Sequence, residues 1–194
     1  YLAVRYYKDK LFRMRGKYGR DLFEYTKLRV LDWINIKLKV GFSEWDSSCY
    51  ADANFTALFN LYDFAGDSEV QGKAKDLIDI MMFGMAINSY KGNFACTHGR
   101  AYTGNLVNHI STGTAKLQRV LGWQPLDEKV GYSHAAAFYA LGGYEVPEII
   151  DRIATDPAAC FDTFEQQSFD IEDFPKFGKG YEDYEDIVMS WHNM

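Results

Sequence analysis

Apolar side chains recur at spacings of three and four along most of the first 156 residues, the period of α-helices that bury one face. Tyr25, Leu28, Leu31, Ile34 and Leu38 form one such stripe, with Lys27, Arg29, Asp32 and Lys37 off it. Residues 21–39 are therefore predicted as an amphipathic helix stopped by Gly41. Ala51, Phe55, Leu58, Tyr62 and Ala65 mark a second helix, with Asp46, Ser47 and Ser48 as N-cap candidates and Gly66 as its end. After the Gly66-Asp67-Ser68 turn the period resumes at Val70, Ala74, Leu77, Met81 and Met85. From Leu77 to Ile87 only Asp79 interrupts an apolar run, which predicts a helix surrounded by others. Residues 91–105 hold three glycines and no period, so they read as an ordered loop. Further helices are predicted over 106–121, 133–141 and 147–154. Short connections make successive helices antiparallel neighbours, and no fixed-period repeat is visible. The fold class is all-α.

Composition narrows the picture. A chain of 194 residues with 47% hydrophobic and 25% charged side chains is built for one packed domain, which excludes disorder, collagen and coiled coil. Charge divides it unevenly: residues 1–40 carry 11 Lys/Arg against 4 Asp/Glu, and residues 145–194 carry 3 against 13. Past Pro157 acids alternate with Phe161, Phe164, Phe169, Phe174 and Phe177, so the chain is divided into a helical part, 1–156, and a less regular acidic aromatic part, 157–194. The basic stretch Arg5 to Arg20 lacks any nucleic-acid signature, and no nucleic-acid partner is expected. No apolar run reaches the ~20 residues that span a bilayer, so no membrane insertion is expected. The start at Tyr1 and the end at Trp191-His192-Asn193-Met194 look like cuts, and the rest of a longer chain is expected as a partner. Cys49, Cys96 and Cys160 are unclustered and read as buried thiols rather than disulfide or metal ligands, and no cofactor is expected. Phosphate-loop, dinucleotide and G-x-S-x-G motifs are missing.

Two segments concentrate chemistry. Thr97-His98-Gly99-Arg100-Ala101-Tyr102 sets an imidazole, a guanidinium and a phenol within five residues of a glycine-bounded loop. That combination suits proton transfer beside an anion, since His and Tyr exchange protons and Arg clamps a carboxylate. A loop tied down by its own polar side chains is the structural alternative. The second segment, Gly41 to Tyr50 followed by Asn54, carries Glu44 and Trp45 on a loop. Tyr50 and Asn54 lie one turn apart at a helix N-terminus. Such a set can bind a sugar, by stacking on the indole and by hydrogen bonds to carboxylate and amide. Capping by Asp46, Ser47 and Ser48, with Trp45 packed into the core, accounts for the same residues. Asp79 reads as a charge satisfied by a neighbouring helix, and His109 and His134 as structural or exposed histidines. The Asn54-Phe55-Thr56 sequon falls inside a predicted helix.

Together, Gly41-Phe42-Ser43-Glu44-Trp45-Asp46-Ser47 leading to Tyr50, then Leu58 to Ala65, Asn88-Ser89-Tyr90-Lys91-Gly92 and Thr97 to Tyr102, resemble bacterial α-toroid proteins. The characterised neighbours of these proteins are polysaccharide lyases and glycosidases built on an incomplete (α/α) toroid. The resemblance covers about Leu22 to Gly104. It implies antiparallel helical hairpins forming part of such a toroid, of roughly twice this length, and a periplasmic or secreted place. It also implies β-elimination from an acidic polysaccharide or oligosaccharide, with His98 or Tyr102 as proton shuttle and Arg100 or Asn54 as carboxylate neutraliser. Glu44, Trp45 and Tyr50 become subsite contacts. The alternatives are a glycoside hydrolase using Glu44 with Asp46 or Asp52, and a non-catalytic glycan-binding or scaffold module.

Overall fold

The helical stripes meet around a shared core. In the computed structural model, which describes residues 1–125, 131, 133–157 and 162–165, the helices are α1 (Leu2–Tyr6), α2 (Gly19–Val40), α3 (Tyr50–Phe64), α4 (Ser68–Ile87), α5 (Thr103–Val107), α6 (Gly113–Val120), α7 (His134–Leu141) and α8 (Glu148–Ala154). Two short antiparallel hairpins accompany them: β1 (Leu11–Phe12) with β2 (Lys17–Tyr18), and β3 (Ser89–Tyr90) with β4 (Asn93–Phe94). Helix makes up 60% of the described residues, so the fold is all-α.

α4 packs against α2, α3 and α8, while α3 also meets α6 and α7. Their buried faces interlock through Ile34, Phe55, Leu58, Phe59, Leu77, Ile78, Met82 and Leu117, all essentially without solvent contact. The stop signals act where the residue types place them. Gly41 ends α2 at a positive φ of 72°, and the Asp67 carboxylate caps α4 by accepting from Glu69 N and Val70 N at 3.1 Å each.

Several expectations need correction. In α2 the stripe is followed at Leu31 and Ile34, but Tyr25 and Leu28 face solvent and Lys37 is buried, because the face that α2 buries runs through Leu31, Ile34 and Lys37 and leaves Tyr25 and Leu28 on its other side. α4 is not enclosed on all sides, since Ile80 and Phe83 are exposed. Asp79 is held by Lys75 of its own helix at 2.6 Å and by the Tyr144 hydroxyl, which donates to it at 2.7 Å. The helix expected over 106–121 is two. α5 ends at Val107, Asn108 is non-helical, and a 3-10 turn at His109–Ser111 precedes α6. Ser111 and Thr112 hydroxyls donate to the carbonyls of Asn108 and His109 at 2.8 and 2.9 Å, an alternative to helical hydrogen bonding. The Thr112 hydroxyl then caps α6 by accepting from Ala115 N at 3.1 Å. The loop expected over 91–105 begins with the β3–β4 hairpin, whose Lys91-Gly92 turn has positive φ at both positions, 50° and 76°. α1 and the β1–β2 hairpin answer to no helical or strand signal read from the sequence. Of the acidic part, 157–194, only Pro157 and residues 162–165 are among the described residues, and Cys160 lies outside them.

Candidate functional site

The loop after α2 and the loop after β4 are far apart in sequence and seamed together in space. Gly99 N donates to Trp45 O at 2.8 Å, and the Ser47 hydroxyl donates to Arg100 O at 2.8 Å while accepting from Tyr50 N at 3.2 Å. One serine thus ties the first turn of α3 to the second loop. A Cβ on Gly99 would lie 2.8 Å from both the indole Cε3 and the backbone nitrogen of Trp45, so the approach requires glycine.

Six of the seven site residues expected from sequence converge on this seam. His98 Nδ1 lies 2.6 Å from Asp46 O; a carbonyl only accepts, so Nδ1 carries the proton and Nε2 keeps a free lone pair. The Tyr50 and Tyr102 hydroxyls are 2.9 Å apart. The Arg100 guanidinium stands 5.6 Å from the Tyr50 ring centre, and its Nε donates to Glu44 at 2.8 Å. Hydrogen bonding to Tyr102 raises the Tyr50 pKa, with Arg100 pulling the other way. Hydrogen bonds to Tyr102 and Tyr50, then the Glu44 charge, raise that of Arg100. Arg100, expected as a carboxylate clamp, therefore already holds an internal carboxylate through one of its five donors.

Asn54, the seventh, does not join the phenols. It lines a cavity of about 100 Å³, room for several water molecules, between the first loop, α2, α3 and α4. Glu44 and Trp45 connect the seam to this cavity, whose walls are apolar at Phe42, Phe55, Met81 and Phe94 and polar at Lys37, Asp46 and Glu165. Trp45 is not packed into the core but is 38% exposed. Asp46 does not cap α3 either. Its φ of 49° turns its half-buried carboxyl toward Cys96, whose thiol donates at 3.6 Å, and toward Glu165. Burial first, then the Glu165 charge, push the Asp46 pKa up to about 7. Burial and the Asp46 charge push the Cys96 thiol up to about 12. Burial pulls the Lys37 ammonium down to about 8. Asn88 Nδ2 donates to Glu165 Oε2 at 2.5 Å.

Lys37 and Glu165 escaped the reading of the sequence. Lys37 is one more polar residue off an apolar stripe, and Glu165 one acid among many, so neither carries a local signal. His109 and His134 are exposed, and Cys49 and Cys96 are half-buried rather than fully buried. Asp52, a candidate carboxylate, accepts from Ala135 N at 3.3 Å and joins α3 to α7. Among the described residues no group of three or more His, Cys, Asp or Glu side chains could hold a metal ion, and no helix is long and apolar enough to cross a membrane. Neither a family model, nor a curated protein, nor a solved structure matches the chain.

Proposed function

We propose that this chain is part of a carbohydrate-active enzyme that cleaves an acidic glycan by β-elimination, its helical hairpins forming part of an incomplete (α/α) toroid. The observation that carries the reading is the seam itself: an arginine, two phenols in hydrogen-bond contact and a histidine with a free Nε2 gathered at a solvent-facing edge. Glu44 holds Arg100 by Nε and the two phenols take further donors, so the substrate carboxylate takes the guanidinium hydrogens that remain. Neutralising that carboxylate acidifies the proton at C5. His98 Nε2 accepts this proton, the C–H electrons form the C4–C5 double bond, and the C4–O bond breaks. Tyr102 gives its hydroxyl proton to the leaving oxygen, its phenolate accepts a hydrogen bond from Tyr50, and the cycle closes when His98 releases its proton to solvent and Tyr102 takes one back. Trp45 offers a face for sugar stacking at the cavity mouth, and Asn54 a hydrogen-bonding amide inside.

One observation favours a second reading, hydrolysis. A carboxyl pushed up to about 7 by burial and by the Glu165 charge, in a largely apolar cavity, can serve as a general acid. In that reading Asp46 and Glu165 act, and Glu44 and Asp52 stay with Arg100 and Ala135.

The two separate in one assay, incubation with a panel of acidic polysaccharides followed by ultraviolet absorbance and by reducing ends. Elimination yields both the unsaturated-uronide absorbance and new ends, and hydrolysis yields ends alone. Under elimination, His98→Ala and Tyr102→Phe each lower turnover ~100-fold or more, and Arg100→Ala weakens acidic substrates selectively. Under hydrolysis, Asp46→Asn carries the large loss. Absence of both products across the panel would overturn both readings and favour a binding or scaffold role.

A further inference from the structure

The basic stretch that neither the seam nor the cavity uses is displayed on a firmly seated hairpin. Gly19 N donates to Lys10 O at 3.1 Å and Arg20 N to Lys8 O at 2.9 Å. A Cβ on Gly19 would come within 2.6 Å of Tyr7 O, so the base of the hairpin is clasped between α1 and α2. Leu11 pairs with Tyr18 and Phe12 with Lys17, which leaves Arg13, Met14 and Arg15 in the projecting turn. Met14 is fully exposed there, and Leu11, Tyr6, Tyr7 and Tyr18 are exposed around it.

Over residues 1–20 seven cations stand against one acid, Asp9, which is occupied by Arg20 at 3.1 Å. Arg5 is turned inward, donating to Phe64 O at 2.8 Å. Lys8, Lys10, Arg13, Arg15 and Lys17 form no ion pair among the described residues. Five exposed cations thus surround a tip whose Met14 is fully exposed, with Arg15 standing over the Tyr25 ring at 6.0 Å.

We propose that this hairpin docks the protein peripherally on an anionic lipid surface. Met14 and Leu11 enter the boundary between headgroups and acyl chains, and the five cations lie against lipid phosphates and carboxylates. A soluble polyanion would answer the charge but offer Met14 no apolar phase. A bilayer offers both. Charge distribution fits the same orientation: residues 41–194 carry 10 Lys/Arg against 23 Asp/Glu, so an anionic surface attracts the hairpin and repels the remainder. The contact stands apart from the glycan-cleaving site and does not depend on it.

Co-sedimentation with vesicles of phosphatidylcholine, with and without phosphatidylserine, tests it. Binding is expected only where phosphatidylserine is present, and is expected to weaken as salt rises. Replacing Arg13, Arg15 and Lys17 together by Gln is expected to weaken it ~100-fold, about fivefold per charge. Met14→Asp, with every cation retained, is expected to weaken it ~10-fold. Thermal unfolding unchanged from wild type shows that the variants are folded, as their exposure requires. Failure to sediment with phosphatidylserine vesicles, equal binding to both vesicle types, or indifference to Met14→Asp would each overturn the proposal. Retention on immobilised heparin or DNA without vesicle binding would reassign the surface to a soluble polyanion.

Discussion

Asp46 occupies a backbone conformation that side chains other than glycine rarely adopt, φ 49°, and two hydrogen bonds keep it there: His98 to its own carbonyl and Gly99 to that of Trp45. The conformation delivers a carboxyl into a largely apolar cavity, where burial raises its pKa from 3.8 to about 7. Between those two values the folded chain holds a proton that the unfolded chain has released. Stability therefore falls as pH rises from about 4 to about 7, and is level above that range. Asp46→Asn removes the titration, so the variant should gain thermal stability relative to wild type as pH is raised through that window. Melting curves across it check this; parallel profiles would show that Asp46 is ionised throughout. In the sequence Asp46 stands beside Ser47 and Ser48 and reads as a cap, because a residue's type states what it can bond to and not which way its backbone turns.

The start of α4 shows an element whose local signal and tertiary contacts agree. Asp67 accepts from two first-turn amides at 3.1 Å each, and Lys27 of α2 reaches the same carboxylate at 2.7 Å. Lys27 is also the main reason the Asp67 pKa is lowered, so this contribution is present above the ordinary carboxylate range and is lost as pH falls through it. Asp67→Ala loses the cap and is expected to cost about 1 kcal/mol, a drop in Tm of roughly 2–4 °C. Asp67→Asn retains the cap and loses only a part-buried ion pair, whose lysine keeps Glu69 at 3.2 Å, and is expected to stay within about 1 kcal/mol of wild type. Equal losses in the two variants would place the energy in the ion pair. The stretch 106–121 shows the opposite case. Its apolar spacing suits one helix, yet side-chain bonds from Ser111 and Thr112 divide it.

At the scale of the whole molecule, α3 is the shared wall. Phe59, 1% exposed, packs its ring 5.8 Å from Phe55 on its own helix, 6.0 Å from Tyr139 of α7 and 5.6 Å from Tyr144 beyond α7. Phe59→Ala opens a cavity where these elements meet and is expected to cost about 3–5 kcal/mol, much of a typical total of about 5–15 kcal/mol. Phe59→Leu, which conserves more of the volume, is expected to cost about 1–2 kcal/mol. Urea unfolding followed by circular dichroism measures both. A small loss for Phe59→Ala would mean that the aromatic cluster closes over the gap.

The sequence by itself determined that the chain is helical, where α2, α3, α4, α7 and α8 lie, and which residue types the two loops bring. These properties are local, set by a burial period of 3.6 residues and by capping and turn chemistry that act within a few positions. Tertiary structure alone decided that Lys37 is buried while Tyr25 is exposed, that Glu44 engages Arg100, and that Asp46 faces Glu165. Each depends on what lies across from a side chain. The partners come from elements some 50 to 120 residues away, and spacing along one helix carries no record of its neighbour.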